Sequence, residues 1–448
     1  MPRHPAPALA VALLLGGCAT YQPDALNPAA VAPTALPAAS HGQPLPAVLS
    51  IPRIGRLAIE NNPELRAARA EHGIAAAQLE AAAALPNPVL SASYAGVVSG
   101  PGALPAIALG LGQDIKALIL RPAKMASAKA QVEQVDAGIL WQEWQTATKA
   151  ELTALEMVTA QRQLPYARQT SALWDERTAR SRRALAAGDI TQSAYVIESQ
   201  LAADAGAQLS ALEVVQLTRQ QELAGLLGLE SGVRLNVAYP ENIQPADPAV
   251  VRSRQQHLVD FRPDLLALRA GYQAQEQRVR ESVLAQFPAM TLGGNAGRDT
   301  GNVKTAGLDI SMELPLFNHN QSGISLEQAT RAKLKAEFDA RLIAATNEVS
   351  ALLDQQQLLV RQQHRVSAQV EQARPLLPRL QQALARQDVE GRTYLDAVMA
   401  QNAREQELIG ITSNIAAQNL AIQTLAGLGM PAMSGNEDSS AQPAGEQP

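Results

Sequence analysis

Leu308, Ile310, Met312 and Leu314 alternate with Asp309, Ser311 and Glu313, and a period of two over this stretch predicts a strand between an apolar surface and water. Pro315 removes the next ladder donor, and the Asn- and Gly-containing run from Asn318 to Gly323 turns the chain almost directly into a long helical segment. The same pattern recurs about 200 residues upstream, where Ile107, Leu109 and Leu111 oppose Ala108 and Gly110 ahead of another long helix. Each of these strands has a partner before it. Leu90, Ala92 and Tyr94 oppose Ser91 and Ser93, with Ser99-Gly-Pro-Gly102 as a hairpin connection, and Ala289 to Gly294 occupies the matching place in the second copy.

A 3.6-residue pattern fills most of the remaining chain. It runs from Ile54 through Leu57, Leu65, Ala68 and Leu79, is interrupted at Asn62-Pro63, and ends at Pro86-Asn-Pro88. After Arg121-Pro122 a helical stretch of roughly 66 residues reaches about Ala187, spanning about 100 Å, with Pro165 as its one strong interruption. It carries two apolar stripes: Val132, Val135 and Ile139, and Ala137, Trp141, Trp144, Leu152 and Leu155. Two stripes suit a helix held on both flanks in a sheet or tube of helices, or one buried on a wide face in an ordinary bundle. Gly188 can take a left-handed cap, and Asp189 or Thr191 can cap the returning helix that ends at Leu226-Leu-Gly-Leu229.

These features repeat. Asn62-Pro-Glu-Leu65 matches Arg262-Pro-Asp-Leu265, Pro88 matches Pro288, Gly188-Asp-Ile190 matches Gln387-Asp-Val389, Tyr195 matches Tyr394, and Leu226 to Leu229 matches Leu425 to Leu428. A nearly constant offset through strands, turns and helices indicates a duplication. The implied layout is a signal at 1–17, a tether at 18–50, repeat 1 at 51–229 with strands near 88–98 and 104–116, and a connector at 230–255. Repeat 2 follows at 256–429, with strands near 288–297 and 304–316 and with kinks or breaks at Pro375 and Pro378, before a disordered tail at 430–448.

Composition sharpens this reading: the aromatic fraction is 3%, low for the compact cores of large enzymes and suited to long packed helices. A net charge of -5 without a dense Lys/Arg cluster argues against nucleic acid as a partner. No Gly-rich phosphate loop, nucleophile elbow or metal triad is apparent, so no enzyme and no cofactor are expected. Cys18, the sole cysteine, follows Arg3, His4, an apolar run from Ala8 to Leu15 and Gly16-Gly17, the layout of a secretory signal. Leu15-Gly-Gly-Cys18 resembles a bacterial lipoprotein signal, which implies a covalent lipid on Cys18; an ordinary signal with an incidental cysteine is the alternative. Ala19 in place of an inner-membrane retention aspartate favours, by that resemblance, the outer membrane.

No later segment has the roughly 18 apolar residues of a membrane helix. A membrane crossing would therefore fall to the strands, and four are too few to close a barrel. Either several chains share one barrel around the polar face of Ser91, Ser93, Thr291, Asn295, Asp309, Ser311 and Glu313, or the hairpins cap a soluble helical bundle.

The repeated order helix, hairpin, very long helix, turn, returning helix carries a family resemblance, together with Asn62-Pro-Glu-Leu, Asn87-Pro-Val-Leu, Arg262-Pro-Asp-Leu and Leu314-Pro-Leu-Phe-Asn-His-Asn-Gln321. Over about residues 51–429 the chain resembles the outer-membrane efflux protein family whose best-known member is TolC. The resemblance implies a mainly α fold with a small β part, and a homotrimer whose 12-stranded β-barrel continues into a 12-helix α-barrel. It further implies that Gly188, Asp189, Ile190 and Thr191, with Gln387, Asp388, Val389 and Glu390, form a periplasmic tip that meets a membrane-fusion adaptor protein. Asp396 fits a family position that narrows the tip, while Thr393 stands where another acid is common; a solvated charge or a helix cap is the plainer role for Asp396.

The function expected on this basis is an outer-membrane channel subunit of a tripartite efflux pump, a passive duct for metal cations or drugs working with an inner-membrane resistance-nodulation-division pump. The Leu314 to Gln321 phrase resembles the heavy-metal branch somewhat more than the drug branch. The histidines of the repeat region, His72, His257, His319 and His364, however, lack metal-ligand spacing. Type I protein secretion through the same duct and a non-channel envelope scaffold are the alternatives.

Overall fold

The computed structural model describes residues 21–26, 32–35, 46–100, 102, 104–240 and 243–430. The signal segment, Cys18, most of the tether, and the tail from residue 431 lie outside the described residues. The fold is mainly helical with one small antiparallel sheet. In chain order the first half comprises α1 (Ile51–Asn61), α2 (Pro63–Ala83), β1 (Val89–Ala95), β2 (Ala106–Asp114), α3 (Ile115–Ala187) and α4 (Gln192–Leu226). The second half comprises α5 (Pro248–Gln255), α6 (Leu258–Phe261), α7 (Pro263–Leu284), β3 (Met290–Arg298), β4 (Lys304–Met312), α8 (Gln321–Ala373), α9 (Leu376–Ala385) and α10 (Gly391–Ala426).

Local chemistry sets the boundaries. Asn62 separates α1 from α2, its side chain accepting from the Leu65 N–H at 3.0 Å while its amide donates to the Leu226 carbonyl at 3.0 Å. That second bond ties the foot of α2 to the end of α4. Arg262, at the matching place, instead sends its guanidinium to Asp264 and Glu348 at 2.8 and 3.3 Å and lies over the Trp141 ring. Gly228 and Gly427 both take left-handed φ near +65° after α4 and α10. At Gly228 a Cβ would press on the Asn61 carbonyl, so glycine serves close approach as well as conformation.

α3 is longer and more continuous than the sequence pattern suggests. It starts at Ile115, where the Asp114 carboxylate accepts from the Ala117 N–H at 3.0 Å, and runs 73 residues, about 110 Å. Pro122 lies within it, and Pro165 does not interrupt it. Leu164 and Ala167 on either side of Pro165 are buried, so packing holds both halves in one helix despite the missing backbone donor. Pro375 does break the second long helix, between α8 and α9, whereas Pro378 sits within the first turn of α9, where a proline is tolerated. β4 stops at Met312; Leu314 lies beyond the strand, next to Pro315, and is exposed. The connector carries a helix of its own, α5, capped by Asp247.

The helices form a wall four elements wide. α3 packs against α2 and α4 on one flank and against α7 and α10 on the other, and α8 packs against α7 and α10 in turn. α3 thus has neighbours on both flanks, as a helix with two apolar stripes requires. The strands lie in the same order, β1-β2-β3-β4, so β2 feeds α3 and β4 feeds α8. Where the two tiers of helices meet, Ile54, Leu57, Leu155, Leu223 and Leu227 build the largest core. The arm joins this belt through a parallel bridge between Leu49 and Val237.

Candidate functional site

Pairing fixes which residues share a face of the sheet, because directly opposed residues point the same way. Ser91 pairs with Gly110, Gly110 with Asn295, and Asn295 with Gly307. The neighbouring rows add Ser93, Ala108, Gly297 and Thr305 above, and Val89, Gly112, Gly293 and Asp309 below. Thr291 opposes Ser311 one row further. Six of the residues expected on a polar face thus lie together, and Glu313 follows just past β4, its N–H donating to the Ala289 carbonyl at 2.9 Å. This face encloses a hollow of about 320 Å³ lined by Ser91, Ser93, Thr291, Asn295 and Asp309, so the sheet curls with its polar side inward.

The convex face has the opposite character. Leu90, Leu111, Gly294 and Leu308 form one row, and Gln113, Leu292 and Ile310 the next. Leu308, Tyr94 and Ile310 are 86%, 73% and 65% exposed, in a chain that buries comparable leucines completely elsewhere. β2, β3 and β4 have nine residues each, enough for a tilted strand to cross the hydrocarbon of a bilayer. β1 and β4 are the sheet's edge strands.

At the opposite end of the wall, two turns of like geometry join the long helices to the returning ones. Gly188 has φ +80° and the Asp189 N–H donates to the Ala184 carbonyl at 2.9 Å; Gln387 has φ +62° and the Asp388 N–H donates to the Ala383 carbonyl at 2.9 Å. Ile190 and Val389 follow in equivalent places. Thr191, not Asp189, caps α4, accepting from the Ala194 N–H at 3.2 Å, whereas Glu390 makes no side-chain cap at the start of α10. Gln387 holds without a glycine a conformation that its counterpart holds with one.

Asp396 is not an isolated carboxylate in the chain. Its Oδ1 accepts from Arg177 Nη1 at 2.7 Å, and Arg177, only 10% exposed, also binds Glu198 at 3.1 Å. Ser181 hydrogen-bonds Glu198, and the Arg177 guanidinium lies over Trp174. Burial works against the charge on Arg177, but Glu198 and Asp396 together outweigh it and hold its pKa above the ordinary value. Burial likewise raises Glu198, yet Ser181 and Arg177 prevail and lower it. The cluster therefore fastens α3, α4 and α10 together about ten residues from the turns. Pairing with Arg177 reduces the field that a bare Asp396 would project; its half-exposed side chain still reaches solvent.

Glu151 on α3 packs against buried Gly55 of α1, where an added Cβ would collide with its carboxylate. Burial pushes its pKa up to about 7, with nearby Arg56 opposing the shift. Neither the Arg177 cluster nor Glu151 is visible in the sequence, since both depend on which helix faces meet. Among the described residues no group of His, Cys, Asp and Glu is placed to hold a metal ion, and no helix is long and apolar enough to cross a membrane.

The sequence matches no protein-family model and no curated protein. Its fold does match solved structures. A membrane protein from Pseudomonas aeruginosa superposes with a TM-score of 0.67 at 18% identity, over 84% of this chain and 90% of the other. CusC, described in terms of transmembrane channel formation, gives 0.66 at 17% over 90% and 98%. The Campylobacter jejuni CmeC outer membrane channel gives 0.66 at 15% over 84% and 85%. The likeness is one of fold, and it bears out the mainly α architecture with a small sheet that the family resemblance implied.

Proposed function

We propose that the chain is the outer-membrane channel subunit of a tripartite efflux pump, a passive duct for small solutes assembled from three copies. The observation that carries this reading is the two-faced open sheet: polar and concave inside, apolar and exposed outside, with an edge strand on each side. A lone sheet of this kind leaves backbone groups without partners in lipid, and only closure with other copies satisfies them. An even number of antiparallel strands lets β4 of one copy meet β1 of the next in antiparallel sense. Three copies give twelve strands above a wall of twelve helix positions. Eight-stranded barrels fill their interiors with side chains. Gly110, Gly112, Gly293, Gly297 and Gly307 on the concave face are too small for that, which favours a wider, water-filled lumen.

The turns at Gly188 and Gln387 then lie at the periplasmic end, where a membrane-fusion adaptor would dock and link the duct to an inner-membrane pump. Asp396, held by Arg177, stands near that aperture. A lipid on Cys18 would add an anchor. Fold relatives that are outer-membrane channels support the assignment. Single-channel recording in planar bilayers tests it: stepwise conductance from the purified full chain is expected, and a protein that leaves bilayers sealed refutes the duct.

A further inference from the structure

The row of the convex face nearest the hairpin loops runs Tyr94, Ile107, Arg298, Lys304. Arg298 and Lys304 are directly opposed across β3 and β4. They are the only charged residues among the strand positions of that face, and the only charged strand residues on the concave face are acids, Asp114 and Asp309. Like charges directly opposite each other destabilise a sheet unless an anion lies between them. None comes from the described residues. Neither side chain has an ion pair there, and Arg298 Nε is shielded from water without a hydrogen-bond partner. The adjacent carboxylate of Asp299 is turned away, accepting from the N–H groups of Gly301 and Val303 at 2.9 and 2.8 Å to close the loop.

Below this pair the strand residues of the face are apolar except for Gln113, whose amide donates to the Pro86 carbonyl at 3.0 Å, and Tyr94 stands in the same row as the pair, the usual station of an aromatic at a membrane interface. The two basic groups thus sit at headgroup height, their aliphatic stems over the apolar band. We propose that Arg298 and Lys304 form a binding site for the phosphate groups of lipid in the outward-facing leaflet, one site per chain. This rests on the outer-membrane reading above. A phosphate oxygen fork suits guanidinium, and a phosphate between the two cations turns their repulsion into attraction. A purely apolar leaflet would leave the pair uncompensated, and a zwitterionic one would bring a tethered cation with each phosphate and so compensate it less.

The test uses the purified full chain reconstituted into phosphatidylcholine vesicles doped with bisphosphorylated lipid A or with its dephosphorylated form, with lipid retained on the released protein counted by native mass spectrometry. Wild type is expected to prefer the phosphorylated form. K304Q, at an exposed position, should lose roughly fivefold of that preference and the R298Q/K304Q pair roughly thirtyfold, while K304R retains it. Equal preference in wild type and both glutamine variants overturns the proposal. Conductance across the same vesicles separates the two readings: a silent wild type refutes the channel and this site with it, whereas an active channel with an unchanged lipid preference refutes the site alone.

Discussion

Replacing Glu151 by Gln is expected to make the protein indifferent to a pH range in which the native chain loses stability. Its carboxyl, pressed on Gly55 and away from water, titrates at about 7 in the folded chain against an ordinary value of 4.5. The folded state therefore holds this proton more tightly than the unfolded state does. The contribution is fully present below about pH 4.5 and is lost as pH rises through about 7. That difference corresponds to about 3 kcal/mol, and residual solvent contact reduces it to about 2 kcal/mol. E151Q keeps the shape and removes the charge. It should match wild type near pH 4 and exceed it by about 2 kcal/mol at pH 8. Unfolding of the detergent-solubilised protein, followed by circular dichroism across this range, measures the gap. Two curves that stay parallel from pH 4 to pH 8 would refute the reasoning, because Glu151 would then be as well hydrated folded as unfolded.

The two turns offer a second test: Q387G should stabilise by about 1 kcal/mol by relieving left-handed strain, whereas G188A should destabilise by a similar amount, both read by denaturant midpoint. R177M leaves Glu198 without its buried partner and should cost about 3 kcal/mol, while D396N, at the half-exposed end of the cluster, should cost under about 1 kcal/mol; equal losses would contradict the proposed hierarchy. On the sheet, L308K should impair membrane insertion by about 2–4 kcal/mol, and N295K should insert normally but shift ion selectivity toward anions, as reversal-potential measurements would show.

Much of the architecture is legible in the sequence because it depends on short-range periodicity. Alternation at Leu90 to Tyr94 and at Leu308 to Met312 reports a strand with one wet face whatever it packs against, and Asn62-Pro63 or Gly188-Asp189 stops a helix locally. Whether a proline interrupts a long helix depends on packing that a linear pattern does not contain. Pro165 lies where helices on both flanks bury its neighbours, while Pro375 lacks comparable support: the short α9 beyond it buries no residue, so the same residue type is absorbed at one site and breaks the helix at the other. Arg177 with Glu198 and Asp396, Glu151 with Gly55, and Arg298 opposite Lys304 are invisible in a linear reading. Each is a long-range contact or a consequence of register, and charged residues in Gln- and Arg-rich helices give no local sign of which will meet. Asp396 shows the limit: the family resemblance implies an acid that narrows the aperture, with a solvated charge or helix cap as the alternative, and only the packing of α3 against α10 supplies Arg177.

The claim beneath all of this is that one chain makes one third of a closed wall. Native mass spectrometry of the detergent-extracted particle tests it directly. The account predicts a particle of three chains that withstands dilution, and a particle of one chain would contradict it.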